Sequence, residues 1–264
     1  MYSFNIILTE ICNARCSHCY MASNDSKKTL TKEEIKAIID IMPNNTKSVV
    51  LTGGEIFLVW DLLIYTIKQL RYKFPNIIIG LESNGITLYK GLETAKEKLK
   101  CLKLCGATFI RFSDDPFHEA GGVDLESVRK LKDLESEVGL EIKYLVQTKA
   151  LAIGNGATLD EEYTEKKNCM NTPLTVENPY LFLDVDGNVF ICTWKCVPPI
   201  GNMINGSWEE IINNLKYDFS KLVLSGQIEK AINSLEKSEI KKKENIEYSK
   251  QNGQCMLCYK NFSS

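Results

Sequence analysis

The sequence predicts an α/β fold of parallel strands joined by crossover helices, followed by a smaller hairpin-plus-helix segment. Three observations carry this expectation. Short apolar runs alternate with amphipathic stretches through the first 150 residues, the pattern of repeated βα units. Capping and stop residues bound the stretches between those runs. Beyond residue 150 the alternation gives way to loop, one hairpin and a helical tail. We therefore divide the chain at about residue 150, with a core over 1–150 and the end of that core plus an extension over 151–264.

Each element follows in turn. An apolar run at residues 4–8 is the first strand. Thr31 and Glu34 form a capping box that opens a helix toward Met42, stopped by Pro43. Strands at 48–51, 77–81 and 108–112 are each followed by a helix, at 61–72, 93–104 and 125–138 respectively, the last ended by Gly139. A fifth strand is read at 141–147. Runs at 180–185 and 188–191 meet at Asp186-Gly187, a strong hairpin signal. Residues 160–167 form a charged stretch, 208–215 and 217–235 read as helical, and the lysine-rich 237–250 reads as a solvated helix face or linker, because glutamates are interspersed. Periodicity alone does not separate an open doubly wound sheet from a barrel.

Composition bounds the function. The 264 residues suit one large domain, or one domain with a short appendage, and 44% apolar with 25% charged residues is ordinary for a globular protein. A net charge of −2 gives no reason to expect a nucleic-acid partner. No apolar run reaches membrane-spanning length and no signal peptide precedes the first strand, so a cytoplasmic protein with no membrane partner is expected. The chain is too large to need a disulfide scaffold, so its ten cysteines should stay reduced and available to metal.

Cys12, Cys16 and Cys19 stand in the spacing C-x3-C-x2-C directly after the first strand. Three thiolates on so tight a loop can hold three irons of a cubane cluster that normally takes four cysteines. The fourth iron is then open to a small molecule. Closely spaced cysteines also make zinc sites, and spacing alone leaves both possibilities standing. Three further motifs follow, each at the end of a predicted strand, where such folds put their chemistry. They are Thr52-Gly53-Gly54-Glu55, Glu82-Ser83-Asn84-Gly85, and Ser113-Asp114-Asp115.

These four motifs, in this order, resemble the radical S-adenosylmethionine (radical SAM) family. The resemblance implies a partial (β/α)6 barrel and a [4Fe–4S] cluster on Cys12, Cys16 and Cys19, with SAM on the fourth iron. It implies that Gly53, Gly54 and Glu55 hold the methionine amino group. Ser83, Asn84 and Ser113 would hold the ribose or carboxylate, and His18 would pack near the adenine. Ile56 stands where the family usually has proline. Asp115 and His118 follow the fourth strand; His118 is read either as a proton-transfer group or substrate contact, or as a surface-loop histidine.

A second cysteine set comprises Cys169, Cys192, Cys255 and Cys258. Gly187-x4-Cys192 and Cys255-x2-Cys258 resemble the carboxyl-terminal SPASM or shorter twitch extension, which implies one auxiliary [4Fe–4S] cluster. Cys196 is a fifth candidate, an alternative ligand or a free thiol. The same spacing also fits a structural zinc. Cys101 and Cys105, at i and i+4 on a predicted helix, read as small buried apolar residues.

The resemblance implies an oxidoreductase that cleaves SAM to a 5′-deoxyadenosyl radical and abstracts a hydrogen atom. The leading expectation for the substrate is a ribosomally made peptide, crosslinked or epimerised. Eleven residues precede Cys12, so a separate leader-peptide recognition protein is an expected partner, as is an electron donor such as ferredoxin or flavodoxin. A small-molecule dehydrogenase acting on a sugar or aminocyclitol alcohol is the alternative. A non-enzymatic zinc or redox-sensing iron–sulfur protein is the third reading.

Overall fold

The computed structural model describes residues 1–21, 28–89, 91–166, 169 and 177–262. Lys167, the last residue of the predicted charged stretch, lies outside them. The chain runs β1 (Tyr2–Thr9), α1 (Lys32–Ile41), β2 (Thr46–Gly53), a 3-10 turn (Ile56–Val59), α2 (Trp60–Lys73), β3 (Ile78–Ser83), α3 (Leu92–Cys105), β4 (Phe109–Ser113) and α4 (Pro116–Ala120). Then come α5 (Leu125–Lys130), continued through a 3-10 turn into α6 (Glu135–Val138), and β5 (Glu141–Leu145). The second part holds β6 (Tyr180–Leu183), β7 (Asn188–Phe190), β8 (Gly201–Asn202), α7 (Trp208–Leu215), α8 (Asp218–Leu224), α9 (Ile228–Leu235), α10 (Glu239–Asn252) and α11 (Gln254–Phe262).

All eight strands form one sheet in the order β5-β4-β3-β2-β1-β6-β7-β8. Pairings from β5 through to β6 are parallel, and β6-β7-β8 are antiparallel. From β1 to β5 every crossover steps the same way, so right-handed connections lay the helices on one face. Consistent with this, α1 packs on α2, α2 on α3, and α3 on α6. This is the layering of a partial barrel, with helices outside and one face left for a cavity.

Alternation along the strands sorts side chains between the two faces. Phe4, Ile6 and Leu8 of β1 are fully buried in the core, together with Ile35 and Ile38 of α1 and Leu63, Ile67 and Leu70 of α2. Asn5 and Ile7 of the same strand instead line the cavity. The capping box of α1 is present, with Glu34 N–H donating to Thr31 Oγ1 at 3.1 Å and Thr31 N–H to Glu34 Oε2 at 2.7 Å.

Differences from the sequence reading have local causes. The stretch at 217–235 is two helices, because the chain turns at Ser225-Gly226, where Gly226 adopts φ +73°. β5 stops at Leu145, two residues short of the reading: it is the edge strand, with a partner on one side alone. Cys101 and Cys105 are half-buried in an open surface groove beside Lys68, Arg71 and Leu104, where the sequence reading expects core positions. Among the described residues no helix is long and apolar enough to cross a membrane.

Candidate active site at the cysteine loop

The loop that carries the three cysteines is clamped from several sides. Gly54 N–H donates to the Thr9 carbonyl at 2.8 Å, and Glu55 N–H to the Ile11 carbonyl at 2.8 Å. This approach requires glycine, since a Cβ at Gly54 would overlap the Ile11 carbonyl oxygen. On another side Arg15 N–H donates to the Gly121 carbonyl at 3.0 Å, and a Cβ at Gly121 would lie 2.9 Å from both N and Sγ of Cys16. Asn155 completes the grip, its N–H donating to the Cys19 carbonyl at 3.0 Å and its Nδ2 to the Cys16 carbonyl at 3.3 Å.

Cys12, Cys16 and Cys19 all line a cavity of about 650 Å³ on the inner face of the sheet. Gly53, Gly54, Ser83, Asn84, Ser113, His18 and His118 line it too. Four motifs separated by up to 100 residues of sequence thus meet at one wall. Burial, then the neighbouring Cys12 and Cys19 thiols, push the Cys16 thiol up to about 12. Burial likewise raises Cys12, against hydrogen bonds from Ala14 and Asn84. As thiolates, the buried Cys16 and the half-buried Cys12 and Cys19 would repel one another unless a positive centre sat among them. That donor set fits an iron–sulfur cluster held by three cysteines.

Glu55 is fully buried and is absent from the cavity wall. Its carboxylate accepts from Phe57 N–H at 3.0 Å, Asn84 N–H at 2.9 Å, and Ser83 Oγ at 2.9 and 3.0 Å. Burial raises its pKa, opposed by these hydrogen bonds. Glu55 therefore ties the end of β2 to the end of β3. Asn84 in turn donates through Nδ2 to Asn13 Oδ1 at 2.9 Å and to Cys12 Sγ at 3.7 Å.

Asp115 is also behind the wall, 2% exposed, and caps α4 by accepting from Phe117 and His118 N–H at 3.1 and 3.0 Å. Its Oδ2 lies 2.8 Å from His118 Nδ1. Burial pushes Asp115 up, but the hydrogen bonds and charge of His118 outweigh it and hold the carboxyl below its ordinary value. His18 stacks on Phe117 at 4.8 Å and meets His118 edge-on at 4.8 Å. Burial, then the charge of His118, lower His18 to about 4.

One pair of cavity residues escaped the sequence reading. Glu82 of β3 and Arg111 of β4 stand opposite each other in register, both on the cavity wall, and form an ion pair at 2.7 Å. The Arg111 guanidinium lies over the Phe109 ring at 5.4 Å. The available signal was a lone charge inside each of two buried parallel strands, which is costly unless paired.

The second cysteine set also converges. A hydrogen bond from Cys196 pulls the Cys192 thiol down to about 7, against burial. The Cys196 thiol is raised by that bond, then by burial and by the charges of Cys192, Cys255 and Cys258. Burial raises Cys258, with Cys192, Cys169 and Cys255 adding to it. Five thiols therefore share one neighbourhood, Cys196 among them. The loop between Cys192 and Cys196 places Thr193, Trp194 and Lys195 on the wall of the main cavity. Trp194 meets Tyr20 edge-on at 5.1 Å, joining this loop to the first cysteine loop.

Residues 6–120 match the family described as the radical SAM superfamily. That stretch, residues 6–120, is a radical SAM domain. A radical SAM domain takes a [4Fe–4S] cluster and SAM, and the three thiols on one cavity wall fit that pair. The chain is 38% identical over 98 residues to the GTP 3′,8-cyclase of Alkaliphilus metalliredigens (strain QYMF), an alignment covering 35% of this chain and 30% of that protein. It thus spans less than a third of that relative's length. The fold is shared with BtrN in complex with AdoMet and 2-DOIA, at TM-score 0.59 and 18% identity over 86% of this chain and 89% of that one. It is also shared with anSMEcpe with bound AdoMet and the Cp18Cys peptide, at TM-score 0.59 and 14% identity over 84% and 83% of the two chains. At these identities the likeness is one of fold.

Proposed function

We propose that this chain is a radical SAM oxidoreductase that abstracts a hydrogen atom from a substrate held in the 650 Å³ cavity and oxidises the resulting radical. The observation that carries this reading is the convergence of Cys12, Cys16 and Cys19 with Gly53, Gly54, Asn84 and Ser113 on a single wall. Cys12, Cys16 and Cys19 would hold a [4Fe–4S] cluster, which would supply the one electron needed to cleave SAM reductively to methionine and a 5′-deoxyadenosyl radical.

The protein's part is to bind and orient. Gly53 and Gly54 line the cavity and would receive the methionine ammonium group. Glu55 holds that segment in place from behind through Ser83 and Asn84. Ser83, Asn84 and Ser113 offer polar atoms to the ribose and carboxylate, and His18 offers a ring face to the adenine. His118, oriented by Asp115, takes the proton that the substrate radical loses on oxidation. An auxiliary [4Fe–4S] cluster on Cys192, Cys255 and Cys258, with Cys169 or Cys196, would take the accompanying electron. A ferredoxin or flavodoxin is the proposed donor to the first cluster.

For the substrate, a peptide side chain entering the half-open cavity is the leading reading, supported by the fold shared with the peptide-bound anSMEcpe. A separate leader-binding protein would deliver it. The paired charges of Glu82 and Arg111 favour a second reading, a small hydroxylated molecule that donates to the carboxylate and accepts from the guanidinium.

The test is anaerobic reconstitution with iron and sulfide, counting metal in wild type and in a Cys12/Cys16/Cys19→Ala variant. Two clusters falling to one supports the whole scheme. One cluster falling to none, with zinc retained, would make the tail structural. Failure of chelator-treated, zinc-free wild type to load iron would refute the enzyme reading.

A further inference from the structure

Cys16, His18 and His118 each bring one ligand atom to within 4.8 Å of the other two. The three come from different parts of the loop region: Cys16 and His18 from the cysteine loop, His118 from α4. Cys16 is buried, 8% exposed.

Two further features point to a cation. A carboxylate accepts only, so Asp115 draws the Nδ1–H of His118 toward itself and leaves Nε2 as the ring atom that can meet an ion. A carboxylate behind the far nitrogen is what metal-binding histidines usually have, because it fixes tautomer and ring angle. His18 Nδ1 is buried with no hydrogen-bond partner among the described residues. An unpartnered buried polar atom costs about 1–3 kcal/mol, and an ion is one standard explanation for it. One thiolate and two imidazoles form a zinc-type donor set that leaves a fourth position facing the cavity.

We propose that, in the chain without its first cluster, Cys16, His18 and His118 form a mononuclear site for a zinc-type divalent cation. Since Cys16 belongs to both donor sets, this ion and the cluster exclude each other, and iron loads at this loop only as the zinc leaves. The exclusion rests on the cluster reading above, whereas the metal site does not.

The test starts from anaerobic, chelator-treated protein titrated with Co²⁺ and then Zn²⁺. Because the second cysteine set is also a thiol-rich donor set, the readout is the difference between variants. Wild type should bind one ion more than His118→Ala and than His18→Phe, which keeps the stacking on Phe117. The thiolate-to-cobalt absorption of that one ion should vanish with it. Asp115→Asn should weaken this ion by about 10- to 100-fold. Cys12→Ala should retain it. Zinc-loaded wild type should take up iron at the first loop about tenfold more slowly than zinc-loaded His118→Ala. Equal ion counts in wild type and both histidine variants, each folded by circular dichroism, would overturn the site, as would loss of the ion in Cys12→Ala. Histidine-dependent cobalt binding in a protein that never loads iron would support the site and refute the cluster.

Discussion

Glu55 shows how a motif residue can work from behind the surface it serves. The sequence reading expects its carboxylate to receive an ammonium group directly. In the structure it is buried behind the wall and accepts from Phe57, Ser83 and Asn84, while the two preceding glycines line the cavity. Replacing Glu55 by alanine leaves two buried N–H groups and a hydroxyl without their acceptor. We expect a loss of about 2–4 kcal/mol in stability, read from the shift in denaturant midpoint. An unchanged midpoint would mean those donors find water instead. Asp115 gives a pH prediction. Its folded-state pKa is depressed, so its contribution is present above the unfolded aspartate value of about 3.9 and lost as pH falls through the folded one. Acid unfolding of Asp115→Asn below about pH 4 should therefore be less steep than that of wild type. Identical acid limbs would contradict the Asp115–His118 pairing.

At the scale of elements, the strands of the core were readable because each is a short apolar run that ends in a polar motif. β1, β2, β3 and β4 each extend one or two residues beyond the runs at one end or both, since ladder hydrogen bonds continue past the last apolar side chain. The Glu82–Arg111 pair was not readable, because its cost is offset by a partner on another strand that only the register of β3 and β4 brings opposite. The grip on the cysteine loop was equally hidden: Gly121 and Asn155 lie about 100 and 140 residues along the chain from Cys16 and carry no motif. They make a sharp prediction. Gly121→Ala places a methyl group against Cys16 and should lower iron bound at the first loop well below one cluster while leaving the second intact. Full loading in that variant would show that the loop moves aside without penalty.

Across the whole molecule, the two cysteine sets are joined through one cavity. The loop from Cys192 to Cys196 forms part of its wall, and Trp194 rests on Tyr20 next to Cys19. On the proposed scheme, a substrate between them would have a radical source on one side and an electron sink on the other. Removing the sink should separate the two half-reactions. In Cys255/Cys258→Ser we expect one cluster fewer, SAM cleavage retained, and oxidised product lost. Loss of SAM cleavage as well would assign the tail a structural part in the first site.

The central claim is that Cys12, Cys16 and Cys19 hold the cluster that cleaves SAM, and 5′-deoxyadenosine tests it most directly. Reconstituted wild type and the Cys12/Cys16/Cys19→Ala variant would be incubated anaerobically with SAM and dithionite, and the nucleoside quantified. The account predicts formation in wild type and none above background in the variant. Equal formation in both, or none in fully loaded wild type across peptide and polyol substrates, would contradict it.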